Sequence, residues 1–259
     1  MNHYQEFYAL HQRPQGFILG NVWNSASARQ AQLAGFQAIG TSSAAMAENL
    51  GYSDGERMPF SVLLEQIRSI REAVDLPLSV DIEGGYSRDP GIISEHIYQL
   101  SQMGVVGINI EDSVVSDCRS LLPAAEFANL LKKIDHQLKE KNIQMFINVR
   151  TDAFLLHPDE ALEISLERIR LYQDSGADGV FIPGLSAEDA VQCVLQELQV
   201  PLNLMSLPNL TDIKSLCELG VKRFSMGDFA YAASQVYFRN LLIDVCKNES
   251  FHGLFAHEQ

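Results

Sequence analysis

The chain has 259 residues, 46% of them hydrophobic, and a formal net charge of -14 at pH 7. That charge argues against nucleic acid and anionic membrane as partners, since either needs a basic surface to neutralise phosphate. No apolar run approaches the roughly 18 residues that span a bilayer. The start Met1-Asn2-His3-Tyr4-Gln5-Glu6 is not signal-like, and Cys118, Cys193, Cys217 and Cys246 have neither metal-ligand nor disulfide spacing. A cytoplasmic location is therefore expected.

In chain order, strands are predicted at 17–21, 36–40, 78–81, 106–110, 146–150, 180–183, 202–205 and 223–226. Between them lie helical periodicities such as Val62, Leu63, Ile67, Ile70 and Val74, then Phe127, Leu131, Ile134 and Leu138, then Leu162, Leu166, Ile169 and Tyr172. Gly35, Gly104, Gly176 and Gly220 each close a helical stretch just before a strand, as helix C-cap glycines do. Pro77 and Pro201 introduce two further strands, where proline is tolerated. Eight strand–helix units without a linker predict a single (β/α)8 TIM barrel over 1–259, with a helical extension from about 229. Neither a Gly-x-Gly-x-x-Gly turn nor a phosphate-binding Gly-Lys-Ser/Thr loop is present, so a nucleotide fold is not indicated. After the eighth strand, Phe229, Val236, Tyr237, Leu241, Leu242, Val245, Phe251, Leu254 and Phe255 exceed the needs of one barrel helix. Burial against another subunit is expected, in a homodimer or homotetramer.

Barrel enzymes place their chemistry at the C-terminal ends of the strands, and side chains alternate between the two faces of a strand. The last inward residues are then Asn21 and Trp23, Asp81 and Glu83, Asn109 and Glu111, Asn148 and Arg150, and Asn203 and Met205. Carboxylates gathered at neighbouring strand ends repel one another unless a cation lies among them, and oxygen ligands point to a hard ion such as Mg2+. Arg150 is the one cation in the set. It suits a substrate carboxylate gripped at two points, or alternatively an ion pair with Asp152 or Glu111.

Five ordered motifs then carry a family resemblance: Asn21-Val22-Trp23-Asn24, Leu50-Gly51-Tyr52-Ser53-Asp54-Gly55, Asp81-Ile82-Glu83-Gly84-Gly85-Tyr86, Ile110-Glu111-Asp112 and Asn148-Val149-Arg150-Thr151-Asp152-Ala153-Phe154. Together they resemble the isocitrate lyase/phosphoenolpyruvate mutase superfamily over about 17–230. The resemblance implies a Mg2+-dependent barrel, with Mn2+ as a substitute, that breaks or forms a C–C or C–P bond beside a 2-oxo acid or its enolate. It implies Asp81 as direct metal ligand, with Asp54, Glu83 and Glu111 holding the metal's waters. Arg150 and the backbone around Thr41, Ser42 and Ser43 would hold the substrate carboxylate. Arg150, Glu111 and Asp54 are the catalytic candidates, and Trp23, Asn148 and Asn203 complete the substrate set. The resemblance also implies a last barrel helix exchanged between subunits.

The loop after the fourth strand departs from the pattern. The isocitrate-type lyases carry Lys-Lys-Cys-Gly-His there, whereas this chain has Asp112-Ser113-Val114-Val115-Ser116-Asp117-Cys118-Arg119-Ser120-Leu121-Leu122-Pro123. No lysine precedes Cys118 to lower its pKa, which predicts an inert thiol. The lysine and asparagine of the mutases' gating loop are also missing. A short lid protects an enolate poorly, which favours simple protonation after C–C cleavage of a small 2-oxo or 2-hydroxy acid. A C–P bond enzyme of the mutase type and a catalytically silent barrel that binds a 2-oxo acid are the alternatives. His96, His136 and His157 are expected to be exposed helix residues.

Overall fold

The computed structural model describes residues 2–258. Its strands are β1 (Phe17–Ile18), β2 (Gly20–Val22), β3 (Ile39–Thr41), β4 (Leu78–Asp81), β5 (Gly107–Glu111), β6 (Ser113–Val115), β7 (Arg119–Leu121), β8 (Phe146–Arg150), β9 (Gly179–Phe181), β10 (Leu202–Met205) and β11 (Arg223–Ser225). Nine of them form one parallel sheet in the order β1-β11-β10-β9-β8-β5-β4-β3-β2. β1 and β2 are two pieces of a single strand parted only at Leu19, so the sheet ends on the strand where it began. The Leu19 amide donates to the Phe224 carbonyl at 2.7 Å, and the Gly20 amide to Ala38 at 3.1 Å. The strand thus changes partner at Leu19 and closes the predicted TIM barrel.

Alternation along the strands divides the interior from the outer core. Val80, Ile108, Ile110, Ile147 and Val149 point outward into a fully buried layer with Leu63, Ile67 and Ile70 of the helix Phe60–Ala73, and with Phe127, Leu131 and Ile134 of the helix Ala124–Glu140. Spacings of three and four place those apolar residues on one helix stripe. Gly35, Gly104, Gly176 and Gly220 all take positive φ, between 78° and 117°, as expected of residues that turn the chain out of a helix.

Three features depart from the sequence-based expectation. The strands at 78–81, 146–150 and 202–205 fall where expected, whereas the other five shift at one or both ends by one to three residues, most at the second, where Ile39–Thr41 replaces 36–40 and the ring of Phe36 packs against Gly20. A helix, His3–Gln12, precedes the barrel and is held by a capping box between Asn2 and Gln5. Its Phe7, Leu10 and His11 close the barrel floor, with Phe7 edge-on to Phe146 at 5.6 Å. The segment expected to be a short loop is instead an antiparallel hairpin, β6 with β7, standing over the C-terminal ends of the barrel strands.

The last helix, Phe229–Asn248, buries only Tyr231, while Tyr237 and Phe238 remain 70% and 54% exposed in the single chain. No described helix is long and apolar enough to cross a membrane.

Candidate active site

At the C-terminal mouth lies a cavity of about 170 Å³, whose walls include Asn21, Thr41, Ser42, Ser43, Asp54, Asp81, Asn109 and Arg150. This is well below the roughly 300–1,000 Å³ of pockets for drug-sized ligands. Such a volume suits an acid of a few carbons better than a nucleotide.

Asp81 ends β4 and is held from three sides. Its amide donates to Thr41 Oγ1 at 2.8 Å, Ser43 Oγ donates to Oδ2 at 3.1 Å, and the Glu83 amide donates to Oδ1 at 3.0 Å. Ser42 caps the helix Ser43–Leu50, and Ser43 and Ala44 also line the cavity. The first N–H groups of a helix have no intrahelical partners, so this rim suits an anion.

Arg150 ends β8. Its Nε donates to Asp152 Oδ1 at 2.6 Å and its Nη1 lies 3.2 Å from Glu111 Oε2. Nη2 has no protein partner among the described residues, and the side chain lines the cavity. The ion pairs foreseen with Asp152 and Glu111 are present on Nε and Nη1, and Nη2 is the nitrogen they leave without a partner. Burial works against its charge, but Glu111 and Asp152 outweigh that and raise its pKa further.

The acids are costly together. Burial, with Asp81 and Asp54 nearby, pushes Glu83 up to about 8. Burial also pushes Glu111 up to about 7, although Arg150 opposes it, and it raises Asp81 against the same arginine. Glu83 has φ 51°, the left-handed region that costs a non-glycine residue on the order of 1 kcal/mol or more. Its Oε2 accepts from the Glu56 amide at 2.6 Å, and Glu56 Oε1 in turn accepts from the Tyr86 amide at 2.6 Å. The Asp54 loop and the Glu83 loop are thereby stitched together.

Of the predicted residues, Thr41, Ser42, Ser43, Asp54, Asp81 and Arg150 share the cavity wall. Glu83 and Glu111 stand behind it as partners of the loops and of Arg150. Asn148 and Asn203 lie one layer deeper, joined by a 3.1 Å bond from Asn148 Nδ2 to Asn203 Oδ1, and neither lines the cavity. Trp23 packs edge-on against Tyr231 at 5.2 Å, away from it. Cys118 is exposed and unpaired at the hairpin turn. His136 and His157 are exposed as expected, whereas His96 is half-buried, stacked on Phe60 at 3.8 Å with Nδ1 2.9 Å from the Gly85 carbonyl.

Arg119 was not singled out by the sequence, and it is the second cation of the site. From β7 its Nη2 donates to Asp54 Oδ2 at 2.8 Å, while Nη1 pairs with Glu111 and lies 3.2 Å from Asp152 Oδ2. Beneath it Asp112, fully buried, accepts from Arg168 at 2.9 Å and from Tyr172 at 2.8 Å, and holds the Asp152 amide at 3.1 Å. Asp112 thus anchors Asp152, which orients both arginines. The hairpin lies close over the Asp54 loop: a Cβ on Gly55, whose φ is 94°, would meet Val115 at 2.7 Å.

No three His, Cys, Asp or Glu side chains form a closed metal cage among the described residues. Mg2+ does not need one, because it keeps several waters and takes one or two carboxylates. One well-oriented carboxylate at the cavity wall, with three more acids around it, fits that habit.

Residues 7–245 match the family model for phosphoenolpyruvate phosphomutase. The chain belongs to that family. An uncharacterised protein of Mycobacterium tuberculosis strain H37Rv is 34% identical over 227 residues, covering 88% of this chain and 83% of its own length. Oxaloacetate decarboxylase 1 of Pseudomonas fluorescens is 31% identical over 223 residues, covering 83% and 74%. A crystal structure from Burkholderia cenocepacia, provisionally described as a phosphonomutase, superposes with a TM-score of 0.87 at 33% identity, covering 93% of this chain and 98% of that one. Within the phosphoenolpyruvate phosphomutase family this chain thus has relatives described as an oxaloacetate decarboxylase and as a phosphonomutase, which supports an enzyme of the superfamily's lyase/mutase type.

Proposed function

We propose that this protein is a Mg2+-dependent lyase, also served by Mn2+, that cleaves a C–C bond in a small 2-oxo or 2-hydroxy acid by way of an enolate. The observation that carries this is the convergence, on a small cavity, of Arg150 with its unpartnered Nη2, the helix N-terminus at Ser43 and the fixed carboxylate of Asp81. Arg150 and the Ser42–Ser43 backbone bind the substrate carboxylate. Asp81 would hold the metal directly, and Asp54, Glu83 and Glu111 would hold its waters. When bound, the dication supplies the positive charge that stabilises an enolate oxygen. Glu111 and Asp152 hold Arg150 in place, so the carboxylate is gripped without a reorganisation cost. The hairpin beside the site has only three residues in each strand, and none of them lines the cavity. An enolate formed in a cavity that so short a hairpin does not seal is protonated by water rather than recaptured. The protein works in the cytoplasm as a homotetramer or homodimer.

The test is a screen with Mg2+ of oxaloacetate-like and malate-like acids and of phosphonopyruvate, read by release of pyruvate, CO2 or phosphate. Release of pyruvate or a similar 2-oxo acid should far exceed interconversion of phosphoenolpyruvate and phosphonopyruvate. Efficient interconversion without any cleavage would make the protein a C–P bond mutase. Binding of oxalate with no turnover of any kind would make it a silent barrel.

A further inference from the structure

Below the cavity the barrel interior carries a network of amides whose orientations are set from its two ends. At one end is Arg223 on β11, 1% exposed, with its guanidinium 5.8 Å from the ring centre of Phe7. Its Nη2 donates to Asn109 Oδ1 at 3.2 Å, while Nε and Nη1 are sealed from solvent without a partner. Asn148 Nδ2 donates to the same Asn109 oxygen at 2.9 Å and to Asn203 Oδ1 at 3.1 Å. At the other end Asn203 Nδ2 donates to the Leu204 carbonyl at 2.8 Å.

Both ends fix the direction. A guanidinium can only donate and a carbonyl can only accept, so none of the three asparagines can flip without setting like against like. Asn109 must therefore keep its oxygen downward. Its Nδ2 donates to no protein group among the described residues and is not sealed, and Asn109 lines the cavity. The NH2 group accordingly faces the cavity. Donation from a charged guanidinium into the amide oxygen polarises the amide and strengthens its outward N–H as a donor.

We propose that Asn109 donates a hydrogen bond to an oxygen of the bound acid, and that Arg223 is the positioning residue that holds it in this orientation. The proposal rests on the carboxylic-acid assignment of the cavity. It adds a neutral donor that selects for an acceptor oxygen on the ligand.

The experiment measures oxalate binding to the full-length protein with Mg2+ by calorimetry, together with solvent exchange of the Asn109 side-chain amide by NMR. Asn109→Asp keeps the shape and can still accept from Arg223, but loses the donor. It should weaken oxalate by about ten- to a hundredfold, the worth of a hydrogen bond to a charged group. Arg223→Met should weaken it about as much, and Arg223→Lys should recover part of the loss, which a merely space-filling role would not do. Oxalate affinity unchanged in a folded Asn109→Asp protein would overturn the proposal. If the wild-type protein binds no oxalate, the carboxylic-acid assignment falls, and amide exchange alone decides the orientation. Rapid exchange upholds the outward amide, and protection of the wild-type amide overturns it.

Discussion

Arg119 reaches Asp54 across 2.8 Å, so a single guanidinium joins the β6–β7 hairpin to the opposite rim of the site. Replacing it tests whether this tie matters. Arg119→Gln removes charge-assisted bonds worth about 1.5–3 kcal/mol each, so turnover should fall at least about tenfold and the segment 113–121 should become easier to cut in limited proteolysis. Cys118→Ser, one residue away but exposed, should keep most of the activity. The reverse pattern would make the thiol the acid–base group and the arginine an ornament of the hairpin.

Asp81→Ala should abolish measurable Mg2+ binding in calorimetry while the circular dichroism spectrum stays unchanged. Metal affinity equal to that of the wild type would remove Asp81 from the ligand set.

His11 gives the fold a pH dependence. It is 2% exposed, stacked on Phe146 at 4.0 Å, and burial with Arg223 nearby pushes it from 6.5 down to about 3. The folded state therefore resists taking up a proton that the unfolded state accepts. The contribution is complete above pH 6.5 and is lost progressively as pH falls toward 3. At pH 5 the loss is about 2 kcal/mol, from 1.36 kcal/mol per pH unit. His11→Leu should flatten the acid limb of stability in urea titrations between pH 7 and about pH 5. An identical slope in both proteins would show that His11 does not set it.

Assembly is tested at the last helix. The wild-type chain should sediment as a tetramer or dimer, and truncation after Asp228 should yield aggregating protein. A soluble, well-folded monomer from the truncation would mean that Tyr237, Phe238 and their neighbours have no partner to cover them.

The sequence made much of the barrel legible because its signals are local. C-cap glycines and strand periodicity depend on a few adjacent residues, and the cavity acids Asp54 and Asp81 sit in short motifs. What escaped depends on distant parts of the chain. Asn148 and Asn203 are inward residues, as period two requires, but which inward residue reaches the mouth depends on strand tilt and stagger around the whole barrel. Arg119 enters the site only through the hairpin register that pairs it with Val115. The helix His3–Gln12 is short, and its pattern makes sense only against a floor built from Phe17 and Phe146.

The handover at Leu19 also has a consequence for biosynthesis. Phe17 and Ile18 pair with Arg223 and Phe224, more than two hundred positions later in the chain. On the ribosome the first strand must wait for the eighth unit before its lower half has a partner. Until then the growing sheet has open edges, which are templates for pairing with other chains. Closure is a contact of very long sequence separation, the kind that slows folding. This chain should therefore depend on protection during synthesis more than its compact final form suggests.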